Sequence, residues 1–389
     1  MKHSIEGFDA TVAGPYRLKR IALPIICCLL VATSPVANEA LVIRGERAGE
    51  VPPFQGSVQS STPRFVIKEL TLPGASGLVT LDYFAWDRST ERLWVPAGNL
   101  ASVAVIDGSD QITKITGFKT AEVELRGRKV VLGPSSVTVG KGAVYVGSRA
   151  DYSICVIDAR TQKLGDCIQI ASPSEGWAAA PDGVVYVAPT SELWVTRGAP
   201  PIGIPSSDKS ITVIDASSAK LKIKTTIPLG GSAEGYAVDE GRGLFYTNLS
   251  EEKETIAIDV NQRKIVSRWR SGCDEPRGLA LDKTRRFLFV ACSDRVVSLN
   301  AGDKGQVVGS ISVGDGLDNI DYSEPQRRLY AAASRAATLT VAEVNDRGGL
   351  NSVAVVPTTA GARGVVAGPS GTAYVADPLR GRILKVTSE

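Results

Sequence analysis

A four-residue apolar motif recurs seven times at regular intervals: RLWV at 92–95, AVYV at 143–146, ELWV at 192–195, LFYT at 244–247, FLFV at 287–290, RLYA at 328–331 and TAYV at 372–375. The stretch 276–300, PRGLALDKTRRFLFVACSDRVVSLN, displays the unit: an apolar run ending in Asp282, a basic turn, the motif itself, a polar break and a further run. The run after the motif often ends in Ile-Asp, as in SVAVID at 102–107, SICVID at 153–158, SITVID at 210–215 and TIAID at 255–259. A fourth run follows, such as KIVSRWR at 264–270 or QVVGSISV at 306–313. Short runs rich in β-branched and aromatic residues, separated by turns, read as antiparallel strands. A unit of about 45 residues cannot close a core alone and must stack on copies of itself. Four strands repeated seven times predict an all-β chain, a seven-bladed β-propeller over residues 65–389, whose radial closure leaves few exposed edges. The last unit stops after its third strand, at 382–386, whereas an orphan strand, FVIKELTL at 65–72, precedes the first. This N-terminal strand is expected to complete the last blade and close the ring.

With 43% hydrophobic and 22% charged residues in 389, the chain can bury a large core. Residues 1–40 read as an export signal or, uncleaved, a membrane anchor: Arg17, Lys19 and Arg20, then the apolar stretch 21–32, then small and polar residues. Twelve apolar residues are short for a membrane span. Cys27 and Cys28 lack the preceding small residue of a lipidation site. Residues 41–64 read as a linker. The expected location is therefore periplasmic or secreted, with membrane contact only through the N-terminal segment. A formal net charge of +3 is no electrostatic footprint for nucleic acid, and the 39 glycines follow turns without a phosphate-binding pattern.

Several kinds of chemistry are excluded by what the chain lacks. Its one histidine is His3 and its one methionine Met1, so the propeller region offers no imidazole for haem, copper or a Ser-His-Asp triad, and no thioether. Four cysteines remain beyond the leader, an even number that suits an oxidising compartment. If the hairpin 153–169 folds so that Asp158 faces Leu164, Cys155 faces Cys167, and a disulfide follows. Cys273, in the loop leading to blade five, and Cys292, after its second strand, fall on one face and form the second expected pair.

The AVID, YVA and PxG punctuation resembles the YVTN-type repeat propellers, the YncE-like proteins of bacterial envelopes, along the whole of 65–389. The resemblance implies an exported propeller without an agreed activity. It also brings single-stranded nucleic-acid binding as a reading, which would need a basic, aromatic surface where this sequence has scattered arginines.

Aligning the start of each innermost strand yields one polar residue per blade: Asp82, Ser135, Asp182, Glu234, Arg277, Asp318 and Arg363. In a propeller that strand lines the channel, so these side chains are expected to ring its mouth. The residues that follow are small or amide-bearing (Ser136, Gly183, Gly235, Gly278, Asn319, Gly364), with Tyr83 the exception, and are expected to leave the ring accessible. Loops carrying Asn99, Arg149, Arg197, Asn248 and the insertion 198–209, with Trp177, should surround it, whereas Trp94 and Trp194 belong to the core. Four carboxylates at one mouth require relief by Arg277 and Arg363, by a bound cation, or by protonation. A more distant similarity is to gluconolactonase-type propellers: LDYFAWD at 81–87 and APDGVVY at 180–186 look like two of their metal-binding motifs. That resemblance implies a divalent ion, calcium or zinc, on Asp82 and Asp182, with Asn319 the nearest substitute for their asparagine ligand. Three functions follow: a non-enzymatic protein presenting its mouth to a partner protein or small polar ligand, a metal-dependent lactonase-like hydrolase, and a single-stranded nucleic-acid binder.

Overall fold

The computed structural model describes residues 63–125, 127–176, 179–197 and 209–389. The leader, most of the linker, Trp177 and 198–208 lie outside the described residues. Seven four-stranded antiparallel sheets form the blades of a β-propeller. In each sheet the first strand is innermost and the fourth outermost, as in blade four with Ala233–Asp239, Leu244–Leu249, Glu254–Asp259 and Lys264–Arg270. Phe65–Thr71 pairs antiparallel with Arg382–Ser388 and supplies the outer strand of blade seven, so the ring closes as expected.

The recurring second strand is almost wholly buried in every blade. Trp94, Trp194, Phe245, Phe289 and Val375 are fully enclosed. Every interface between neighbouring blades holds its own apolar cluster, and the one joining blade seven to blade one (Leu93, Tyr374 and Ile383 with Leu70 and Leu72) includes the N-terminal strand. The Ile-Asp punctuation has a local cause. Asp107, Asp158, Asp215 and Asp259 each accept backbone N–H groups from the turn that follows, forming Asx turns that reverse the chain into the outer strand. Hydrogen bonds from the turn favour the ionised form and hold three of them below the usual carboxylate range: the Ser109 hydroxyl and then backbone N–H for Asp107, the Thr161 backbone N–H and then its hydroxyl for Asp158, and the Ser217 hydroxyl and then its N–H for Asp215.

Both expected disulfides are present, Cys155–Cys167 and Cys273–Cys292. The first forms through a register different from the expected one. Ile157, not Asp158, faces Leu164, and an irregularity between Cys155 and Ile157 restores the Cys155–Cys167 pairing. Blades three to six carry the same irregularity between third and fourth strands. Such bulges add local twist, which suits outer strands that present unpaired edges to water. One element has no counterpart in the sevenfold repeat: Ala121–Leu125 and Arg128–Leu132 form a separate hairpin between blades one and two in the chain.

Candidate functional site

Six of the seven residues aligned at the inner-strand starts face the channel mouth, Ser135 being the exception, and in five blades a backbone irregularity falls at the aligned position. In blades two, three, four, six and seven the pairing of the first and second strands shifts register at or beside Ser135, Asp182, Glu234, Asp318 and Arg363. An extra residue at that point re-aims side chains off the sheet face and toward the channel. Blade one departs from the pattern, because its first strand is only Ala85–Asp87 and Tyr83 instead bridges in parallel to Ser136 of blade two.

At the mouth, the Arg149 guanidinium bridges Asp82 and Asp182. One nitrogen donates to Asp82 at 2.9 Å and also to Asp182, while Nε donates to the Pro181 carbonyl at 3.3 Å. All three side chains are largely enclosed, between 12% and 15% exposed. Burial works against the charged guanidinium, but Asp182 and Asp82 outweigh it and raise its pKa. Across the ring Arg363 pairs with Asp318 at 3.1 Å, and Arg277 lies 3.6 Å from Glu275, outside the ring. Glu234 has no hydrogen-bonding or ion-pair partner among the described residues. Its burial, reinforced by Asp182 and Asp318, pushes its carboxyl up to about 8. Burial also raises Asp182, to about 6 against the pull of Arg149, and raises Asp318 against the pull of Arg363.

Two of the small positions are glycine for a packing reason. A side chain on Gly183 would lie 2.4 Å from the Tyr236 ring, and one on Gly235 would lie 2.6 Å from the Gly278 backbone. At these two positions neighbouring inner strands and an aromatic ring close against the backbone, so only glycine fits. Tyr83 of blade one and Tyr236 of blade four stack at 5.5 Å between centroids, so rings from opposite sides of the propeller meet in the channel. Beside them is a cavity of about 170 Å³ whose lining includes Asp82, Tyr83, Tyr236, Asn319, Asp321 and Val366.

Arg149, Tyr236 and Asp321 are the residues the ring alignment passed over. Arg149 was placed at the mouth but not among the groups that relieve its charge. Asp321 follows Asn319 by two, the period that returns a strand side chain to the same face, and that spacing was the available signal. The other mouth-loop residues serve the backbone. Asn99 accepts from the Thr80 amide and donates to the Leu78 carbonyl, Arg197 donates to the Ala179 carbonyl, and Asn248 donates to the Arg277 carbonyl. Ser135 turns into the wall and is buried, bonded to the Gly147 carbonyl.

The fit of a divalent ion can be tested against this geometry. Asp82 and Asp182 share one guanidinium nitrogen, so a cation already stands between the two proposed ligands. Among the described residues no group of three or more Asp, Glu, Cys or His side chains is arranged to hold a metal. Hard cations such as calcium take six to eight oxygens, a set these two carboxylates do not approach.

No family model matches the chain, and no curated protein matches it in sequence. Among solved structures it is similar to a chain of the Mitotic Checkpoint Complex, with a TM-score of 0.64 at 13% identity over 91% of this chain and 99% of that one. It is also similar to virginiamycin B lyase from Staphylococcus aureus, with a TM-score of 0.61 at 13% identity over 83% of this chain and 99% of the lyase. A streptogramin B lyase matches at 0.60 and 12% identity, over 84% of this chain and 98% of its own. The likeness is one of fold. Propellers with very different roles share it, so function must be argued from the site.

Proposed function

We propose that this protein is an exported, non-enzymatic β-propeller that binds a small polar ligand, or a polar group of a partner protein, at its channel mouth. The observation that carries the reading is the incomplete charge pairing there: Arg149 and Arg363 are committed to Asp82, Asp182 and Asp318, while Glu234 has no partner among the described residues. Glu234 is half-buried, so its carboxylate is met only by water, and a ligand that supplies a donor there gains a charge-assisted hydrogen bond. Two disulfides support an oxidising location, and no helix among the described residues is long and apolar enough to cross a membrane. The repeat punctuation supports a place among the YncE-like exported propellers.

The test is a thermal-shift screen with amines, carboxylates, phosphates and sugars on wild type, Glu234→Gln and Asp318→Asn. At least one class should raise the melting temperature by mass action, and the rise should shrink in both variants. Hits that persist unchanged in both would place the binding face elsewhere. Calcium and zinc chlorides in the same screen should leave the melting temperature unmoved. Metal-dependent lactone hydrolysis lost on Asp182→Asn would overturn the non-enzymatic reading in favour of the lactonase-like one.

A further inference from the structure

The cavity beside Tyr83 and Tyr236 has a composition that selects one class of ligand. Asp82, Asp321 and Asn319 line it, and among the described residues no basic one does. Asp82 shares the Arg149 guanidinium with Asp182. Asp321 has no cation within ion-pair distance among the described residues and accepts only the backbone N–H groups of Tyr322 and Ala367, each at 2.8 Å. Each carboxylate oxygen keeps a further lone pair for a donor. The remaining wall is aromatic and aliphatic, including Phe84, Leu279 and Val366. At about 170 Å³ the space holds several heavy atoms, far more than one water requires.

We propose that this cavity is a subsite for a small primary ammonium ion, with its N–H groups donated to Asp321 and Asn319 and its carbon end against Tyr83, Phe84 and Val366. A bare metal ion would leave that apolar wall unused and would find fewer oxygen ligands than it takes. An anion would meet two carboxylates. An organic cation satisfies both halves, since its charge pairs with the carboxylate and its alkyl part is attracted to the aromatic and aliphatic side. The inference rests on the reading that the mouth binds a small polar ligand and specifies that ligand's charged end.

Ethylammonium chloride, titrated over the millimolar range against the folded protein by calorimetry and thermal shift, tests it, with sodium chloride and ethanol as matched controls. Ethylammonium alone should bind and raise the melting temperature. Asp321→Asn, which removes the charge, and Val366→Phe, which fills the cavity and leaves every carboxylate in place, should each weaken binding at least tenfold. An equal effect of sodium chloride or ethanol, or undiminished affinity in Val366→Phe, would overturn the proposal. If ethylammonium fails while another polar class binds and is lost in Glu234→Gln, the subsite falls and the mouth reading stands. If no polar class binds at the mouth, both fall.

Discussion

Arg149 is the residue on which the mouth depends. It follows the second strand of blade two yet reaches carboxylates of blades one and three, so a single guanidinium ties three consecutive blades at the channel. Removing one partner from a buried ion pair leaves uncompensated charge and costs roughly 3–5 kcal/mol. Arg149→Ala should therefore lower stability to chemical denaturation by about that much, and Asp82→Asn with Asp182→Asn in the same chain should restore part of the loss. A loss below about 1 kcal/mol would show that water already screens the site as it does a surface pair.

At the scale of elements, the N-terminal strand and the disulfides act as fasteners. Phe65–Thr71 buries Leu70 in the cluster between blades seven and one and pairs with Arg382–Ser388 along its whole length. A chain that begins at Arg64 should keep the stability of the longer protein. A chain that begins after Thr71 would uncover the third strand of blade seven as an unprotected edge, and should aggregate in sedimentation or light scattering. Equal stability of the two truncations would refute the ring closure. The pairs Cys155–Cys167 and Cys273–Cys292 close loops of 12 and 19 residues in sequence separation. Each should contribute about 3 kcal/mol by restricting the unfolded chain, and mass spectrometry of unreduced peptides from exported protein should recover both links. The second holds the loop that delivers Arg277 to the rim, so its reduction should also weaken whatever the mouth binds.

For the whole molecule, the buried carboxyls set the pH dependence of stability. Glu234 rises from 4.5 to about 8, and Asp182 and Asp321 rise from 3.8 to about 6, in every case chiefly through burial. Between the lower and upper values the folded state holds more protons than the unfolded chain, so stability falls as pH rises through that window. Asp87, Asp110 and Glu192 act oppositely: hydrogen bonds and neighbouring cations hold them low, and their contribution is lost in acid. The melting temperature should accordingly peak in mild acid and decline toward pH 8. Glu234→Gln should flatten the upper part of that decline, and an unchanged slope in the variant would sink the assignment.

The repeat of strand and turn was enough to determine the architecture, because a period of four strands per unit admits few ways to bury every apolar face, and a missing last strand with an orphan first one implies the closure. It also aligned one polar residue per blade at the inner-strand starts, since the side-chain period of a strand is a local property, although Ser135 turns into the wall. Tertiary structure alone decided how those residues pair. Arg149 meets Asp82 and Asp182 from a loop 67 and 33 residues away in sequence, and no local period encodes a contact made only once the ring has closed. The Cys155–Cys167 link came out as expected although the turn register did not, because an irregularity between Cys155 and Ile157 absorbs the difference and no sequence period marks it. The stacking of Tyr83 on Tyr236, and the cavity beside it, arise from blades one and four facing each other across the channel, a relation that exists only in the assembled ring.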